Sequence, residues 1–285
     1  MKYCYILHKD VNDVLTLAGL IVLIAVLISA SLHDLRSREV PDIHWIIICA
    51  VGLLMLTVAV FDGLTVQRLM VLVGSCLIVF DILYDKERSQ LIDILFYGSI
   101  AVLFAVPMAT AMSDNFVVIT LAIPICYLLF VVLFFSGVLT GGADVKCLIS
   151  LAIIFPMYPV IYGIPLISVP AASIITSIIS FPLAVLLYAS LFSVLLMMPL
   201  MIMNIRRGDT EFPNMLFGYR VDAKEAEELY VWPMAVKKNK SKNSETSNET
   251  QDDGKIWVTP KIPFIIPITA AVIFTAVIGN IAFLF

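Results

Sequence analysis

The chain has 285 residues, 61% of them apolar and only 14% charged. Water-soluble domains run near half apolar and a quarter charged, so a packed globule in water is excluded in favour of a polytopic membrane protein. A net charge of −4 leaves no basic surplus for a phosphate backbone, so no nucleic-acid partner is expected.

A hydrocarbon core roughly 30 Å thick calls for about 20 apolar residues in helix, so charge-free windows measure the spans. In chain order these are Val14 to His33, Ile43 to Phe61, the shorter Leu69 to Tyr84 interrupted by Asp81, Ile94 to Ser113, and Asn115 to Ala143. The uncharged run from Cys147 to Ile205 is long enough for two helices. Pro156, Pro159, Pro165 and Pro170 put the break between them, leaving spans near 147–163 and 178–205. Ile262 to Phe285 closes the chain. The expectation is an all-α, polytopic transmembrane bundle of about eight spans. It divides into a membrane bundle over 1–205, a cytoplasmic segment over 206–261 and a terminal transmembrane helix over 262–285.

The first span is too long for a signal-peptide core and is closed by Asp34-Leu35-Arg36-Ser37-Arg38, a stop-transfer flank, so it is read as retained. Basic residues set the orientation. With the N-terminus outside, segments 34–42, 85–90, 138–146 and 206–261 face the cytoplasm and hold fifteen of the eighteen Lys and Arg; Lys2, Lys9 and Arg68 lie outside. Lys237 to Gly254 contains no apolar residue and is expected to be a flexible tether. Asp222 to Trp232 is expected to form a surface helix, whose Glu225, Glu227 and Glu228 are read as a solvated face.

The five cysteines stand singly, with no C-x-x-C pair, and the three histidines, His8, His33 and His44, have no metal-site spacing. No metal and no cofactor are expected, and any chemistry falls to carboxylates. Six acids lie at or near span ends: Asp34, Asp42, Asp81, Asp85, Asp93 and Asp144. Asp34 closes the first span, and Asp144 follows the small-residue loop Thr140-Gly141-Gly142-Ala143. Four spans separate them, an even number, so both lie on one membrane face. Two carboxyls brought to about 3 Å cannot both ionise and share a proton, one acting as general base towards water and the other as general acid towards a carbonyl. Gly141 and Gly142 let backbone come close, although a plain interhelical turn would use them too.

These residues carry a resemblance. Asp34-Leu35-Arg36-Ser37-Arg38-Glu39-Val40-Pro41-Asp42 resembles the D-x-R-x-R-x-[I/V]-P-[N/D] segment of type IV prepilin peptidases, and Gly141-Gly142-Ala143-Asp144-Val145-Lys146 resembles their GxGD active-site loop. Val258-Thr259-Pro260-Lys261-Ile262-Pro263-Phe264 is similar to the start of the last helix in archaeal members. The resemblance implies an aspartic membrane endopeptidase that removes the basic leader, a class III signal peptide, from prepilins or archaeal preflagellins at the cytoplasmic side of the cell membrane. It makes Asp34 and Asp144 catalytic, matches Gly141 to the first glycine of the loop, and leaves Gly142, Arg36, Arg38 and Lys146 as supporting or substrate-binding residues. Ala143 replaces the glycine of the strict motif, a relaxation that archaeal members tolerate. The bacterial cysteine tetrad and any glycine-rich S-adenosylmethionine site are missing, which points to the archaeal branch without a methyltransferase activity.

Other roles are weighed beside these. Tyr84-Asp85 looks like the Tyr-Asp dipeptide of presenilin-like proteases, but Asp85 most simply balances Lys86. Asp81 and Asp93 are expected to serve interhelical hydrogen bonds. Arg36 and Arg38 double as topology anchors, and Lys146 either acts on Asp144 or snorkels to the interface. A transporter or channel is the alternative from another class, suggested by the proline-broken stretch and the intramembrane acids; a non-enzymatic assembly factor stands third. The lipid bilayer and a leader-bearing substrate are the partners implied, and the sequence is silent on oligomeric state.

Overall fold

The computed structural model describes residues 2–84, 89–139, 141–170, 172–222, 226, 231–233, 255–260 and 263–284, with the backbone alone at 2–12, 232 and 233. The helices in chain order are α1 (Lys2–Ser37), α2 (Ile43–Phe61), α3 (Val66–Leu83), α4 (Gln90–Thr110), α5 (Asn115–Thr120), α6 (Ala122–Phe135), α7 (Gly142–Ile154), α8 (Ile174–Ile178), α9 (Phe181–Arg207), α10 (Asn214–Phe217) and α11 (Ile265–Ile278). Seven stretches are long and apolar enough to cross a membrane: Asp13–Ser37, α2, α3, α4, Asn115–Phe135, α9 and Ile265–Leu284. The chain is a multi-pass helical membrane protein.

The expected span over 147–163 has a different form. Its helix, α7, is 13 residues long, about 20 Å at 1.5 Å per residue and too short to cross. Pro156 drives Phe155 out of the helical region (φ −134°, ψ 83°) and ends α7 there. Every side chain from Cys147 to Phe155 is buried, so α7 is sheathed by protein and not by lipid. The irregular stretch that follows finds its hydrogen-bond partners inside the protein, as backbone away from water must. Leu166 and Ile167 N–H donate to the Val277 and Ile278 carbonyls at 2.9 and 3.0 Å. Tyr158 Oη donates to the Ile179 carbonyl at 3.0 Å and accepts from Asn280 Nδ2 at 2.9 Å. Gly279 turns the end of α11 at φ +93°, where a Cβ would also meet Ile167 and Pro165 at 3.2 Å.

Helix α2 is the hub around which the site is built. Its buried residues His44, Trp45, Ile48, Cys49, Gly52, Leu56 and Val60 recur at three- and four-residue steps, giving one continuous inward stripe. This stripe meets α7, while α1 and α3 pack on its flanks. Gly52 makes the close approach possible, because a Cβ there would lie 2.7 Å from Ile154 Cα and 2.9 Å from the Ile153 carbonyl carbon. Between membrane helices, where lipid removes the hydrophobic drive, such backbone-to-backbone contact is a main source of cohesion.

The chain forms two compact units, residues 1–190 with 263–285, and residues 191–262. The second holds a three-stranded antiparallel sheet of β1 (Tyr219–Asp222), β2 (Val231–Pro233) and β3 (Lys255–Pro260), in the order β1-β3-β2. Tyr219 stands opposite Val258, and Val231 opposite Pro260. Arg220 lies 5.3 Å over the Trp257 ring and pairs with Glu211, which also accepts from Trp257 Nε1 at 2.8 Å. The surface helix expected over 222–232 is therefore corrected at both ends, which are strands held by β3 more than twenty residues further on. Glu225, Glu227, Glu228 and the tether 237–254 lie outside the described residues.

Candidate active site

Asp34 stands in the last turn of α1. Arg38, with φ +59°, reverses the chain just past that helix, and its charge acts on the Asp34 carboxylate. Ser37 Oγ ties the reversal by donating to the His33 and Glu39 carbonyls, each at 3.0 Å. The Asp34 carboxylate also accepts the backbone N–H of Ile265, the first residue of α11. Phe264, the N-cap of α11, offers no side-chain acceptor, so Asp34 fills the place of a capping group at that positive helix end.

Asp144 opens α7 in its first turn. Gly141 is the N-cap, in an extended conformation (φ −91°, ψ 116°), and its carbonyl accepts from Asp144 N–H at 3.1 Å. The Asp144 side chain folds back over Gly141: a Cβ at 141 would sit 2.9 Å from Asp144 Cγ and run into Oδ2. The glycine thus makes room for the carboxylate. Gly142 is exposed with open space beside it, and Thr140 lies outside the described residues.

Asp34 and Asp144, 110 positions apart in the chain, come close enough for their charges to act on each other. Each keeps partial exposure.

Of the other expected site residues, Arg36 is exposed and Arg38 half-buried beside Asp34. Lys146 pairs with Asp42, its Nζ donating to both carboxylate oxygens at 3.0 and 3.1 Å. That contact settles on neither role the sequence suggested for Lys146. Asp81 is held between helices by the hydroxyls of Tyr127 and Tyr97, the interhelical bonding expected of it. Asp93 lies in the first turn of α4, and Asp85 is outside the described residues.

Sequence reasoning missed three features. His44 is buried, with Nδ1 2.9 Å from the Pro41 carbonyl and Nε2 3.1 Å from Ser29 Oγ. With its proton on Nδ1 the ring donates to that carbonyl while Nε2 pairs with the Ser29 hydroxyl, clamping α1 to the start of α2. The Asp42 partner of Lys146 and the Ile265 amide on Asp34 are the others. Asp42 stood inside the quoted motif, but which cation it meets depends on how α2 and α7 line up, and no local signal carries that.

No family model matches the chain. The preflagellin peptidase of Methanococcus maripaludis is 28% identical over 271 residues, covering 89% of this chain and 92% of that protein. That of Methanocaldococcus jannaschii is 25% identical over 272 residues, covering 89% and 91%. Over most of its length the chain is thus similar to two archaeal preflagellin peptidases. The alignments run nearly end to end, so the likeness extends over the helical chain and is not confined to the two short motifs. Among the described residues no group of His, Cys, Asp and Glu is arranged to hold a metal.

Proposed function

We propose that the chain is a membrane aspartic endopeptidase that cleaves the basic leader from preflagellins or prepilins at the cytoplasmic face. Asp34 and Asp144 are its catalytic pair. One observation supports the reading: two carboxylates 110 positions apart in the chain lie near enough for their charges to act on each other. The names of the two relatives supply the substrate class.

In this mechanism one aspartate is ionised and the other protonated. The ionised carboxylate takes a proton from water as the oxygen adds to the scissile carbonyl carbon, and the protonated one gives its proton to the carbonyl oxygen. The resulting gem-diol collapses as a hydroxyl proton returns to one aspartate and the leaving nitrogen receives a proton from the other. The C–N bond breaks, and the pair again holds a single proton. The open space at Gly142 admits an extended leader, whose carbonyls a helix would hide. The cytoplasmic placement rests on the bias of Lys and Arg. The substrate's apolar helix would dock from the bilayer, and its class III leader would lie across the aspartates.

The stretch that suggested transport contains no acid between Phe155 and Ser173 and is tied to the end of α11 by backbone hydrogen bonds. Incubating detergent-solubilised protein with a preflagellin decides the matter. Asp34→Asn and Asp144→Asn should both fold and fail to cleave, while Asp85→Asn cleaves as wild type; retained cleavage in either of the first two rejects the reading.

A further inference from the structure

We propose that Asp42 and Lys146 are a positioning pair, which with α2 as a common ruler sets the spacing of Asp34 and Asp144. The inference rests on the reading of those two aspartates as the reactive groups.

The two aspartates sit on elements with no covalent reason to meet: the last turn of α1 and the first turn of α7. Each element is fastened to α2. On the α1 side, His44 joins Ser29 to the Pro41 carbonyl, and the whole reversal from Arg38 to Asp42 lies between these fixed points. On the α7 side, three contacts run in step along two helices that both point inward from this end. Asp42 meets Lys146, Cys49 Sγ donates to Ser150 Oγ at 3.3 Å, and Gly52 lies against Ile153 and Ile154. Ser150 Oγ in turn donates to the Lys146 carbonyl at 2.7 Å.

Lys146 follows Asp144 by two residues, and side chains two apart on a helix diverge by about 200°. When Lys146 reaches across to α2, Asp144 is therefore directed elsewhere, to the side where Asp34 waits. The lever is geometric. Asp42 is 44% exposed and Lys146 19%, and ion pairs so open to water contribute little to folding. A misplacement of about 1 Å between reacting groups, by contrast, can lower turnover by about 100-fold.

The test uses the full-length protein in detergent with a preflagellin substrate. Asp42→Asn and Lys146→Met should each lower kcat by about tenfold or more while KM changes by less than about twofold. The exchanged pair, Asp42→Lys with Lys146→Asp, should restore most of kcat. A second readout needs no activity: with Cys4 and Cys76 changed to Ser, the rate of disulfide formation between Asp34→Cys and Asp144→Cys should fall when Lys146→Met is added. Thermal unfolding of each variant accompanies both. An unchanged cross-linking rate overturns the proposal, as does a rise in KM with kcat kept, which would put Lys146 on the substrate. If instead Asp34→Asn cleaves normally, the catalytic reading fails, while the cross-linking result still judges the spacing.

Discussion

At the end of the bundle away from the aspartates, Arg68 and Asp114 meet in a two-pronged pair. Arg68 Nε and Nη2 donate to the two carboxylate oxygens at 2.7 and 2.8 Å, Nη1 donates to the Ala59 carbonyl at 3.1 Å, and the guanidinium lies 5.1 Å over Phe116. Asp114 also accepts from Phe116 N–H at 3.0 Å as the N-cap of α5. There, opposite charges cancel and every prong is used. At the other end two carboxyl groups lie near enough to act on each other, one of them folded back over a glycine whose Cβ would displace it. The first arrangement is what folding favours; the second costs free energy that local structure alone would not spend. On the proposed reading it is this costly end that carries the chemistry.

The comparison breaks if disturbing both ends has the same effect. The largest difference is expected from Asp34→Asn and Asp144→Asn, each lowering cleavage by about 10²–10⁴-fold, the range general acid–base groups supply, with the folded fraction kept. Next comes Gly52→Ala. The added methyl must push α2 away from Ile154, at a cost of about 1–3 kcal/mol, and cleavage should fall with it because α7 carries Asp144. Thermal unfolding beside a cleavage assay measures both.

Asp114→Asn should leave cleavage within about twofold and reduce stability by about 1 kcal/mol. Its pH dependence is distinctive. The hydrogen bonds from Arg68 hold the Asp114 carboxyl below the usual aspartate value. A group lowered in the folded state contributes stability that is complete above its unfolded pKa, ~3.9, and is lost as pH falls through the folded value. The melting difference between wild type and Asp114→Asn should be constant from neutral pH down to about 5 and shrink below about 4. The smallest effect is expected from Tyr127→Phe, which removes one interhelical bond to Asp81, worth about 0.6 kcal/mol in membrane proteins. Its cleavage should match wild type.

The sequence made the spans legible because lipid forces every crossing to be a long charge-free window, and the ends of α2 at Ile43 and Phe61 are where the charges stop. It singled out the two aspartates as candidates because their flanking residues are local: a basic reversal after one, small residues before the other. The prolines after α7 were visible, yet they stop that helix at Ile154, sooner than the expected span, because its buried side chains need no bilayer to match. The strands were hidden because β3 must be in place before β1 and β2 have anything to pair with. Lys146 with Asp42, and the Ile265 amide with Asp34, depend on the rotation and height of one helix against another. Residue types and spacing within a single helix do not encode that.

The central claim is that Asp34 and Asp144 act as one unit, and the measurement that tests it most directly is kcat for Asp34→Asn, Asp144→Asn and the double variant on one preflagellin. A shared proton makes either loss complete, so the account predicts that both single variants are as inactive as the double. Losses that multiply in the double variant, or a single variant that keeps turning over, would contradict it.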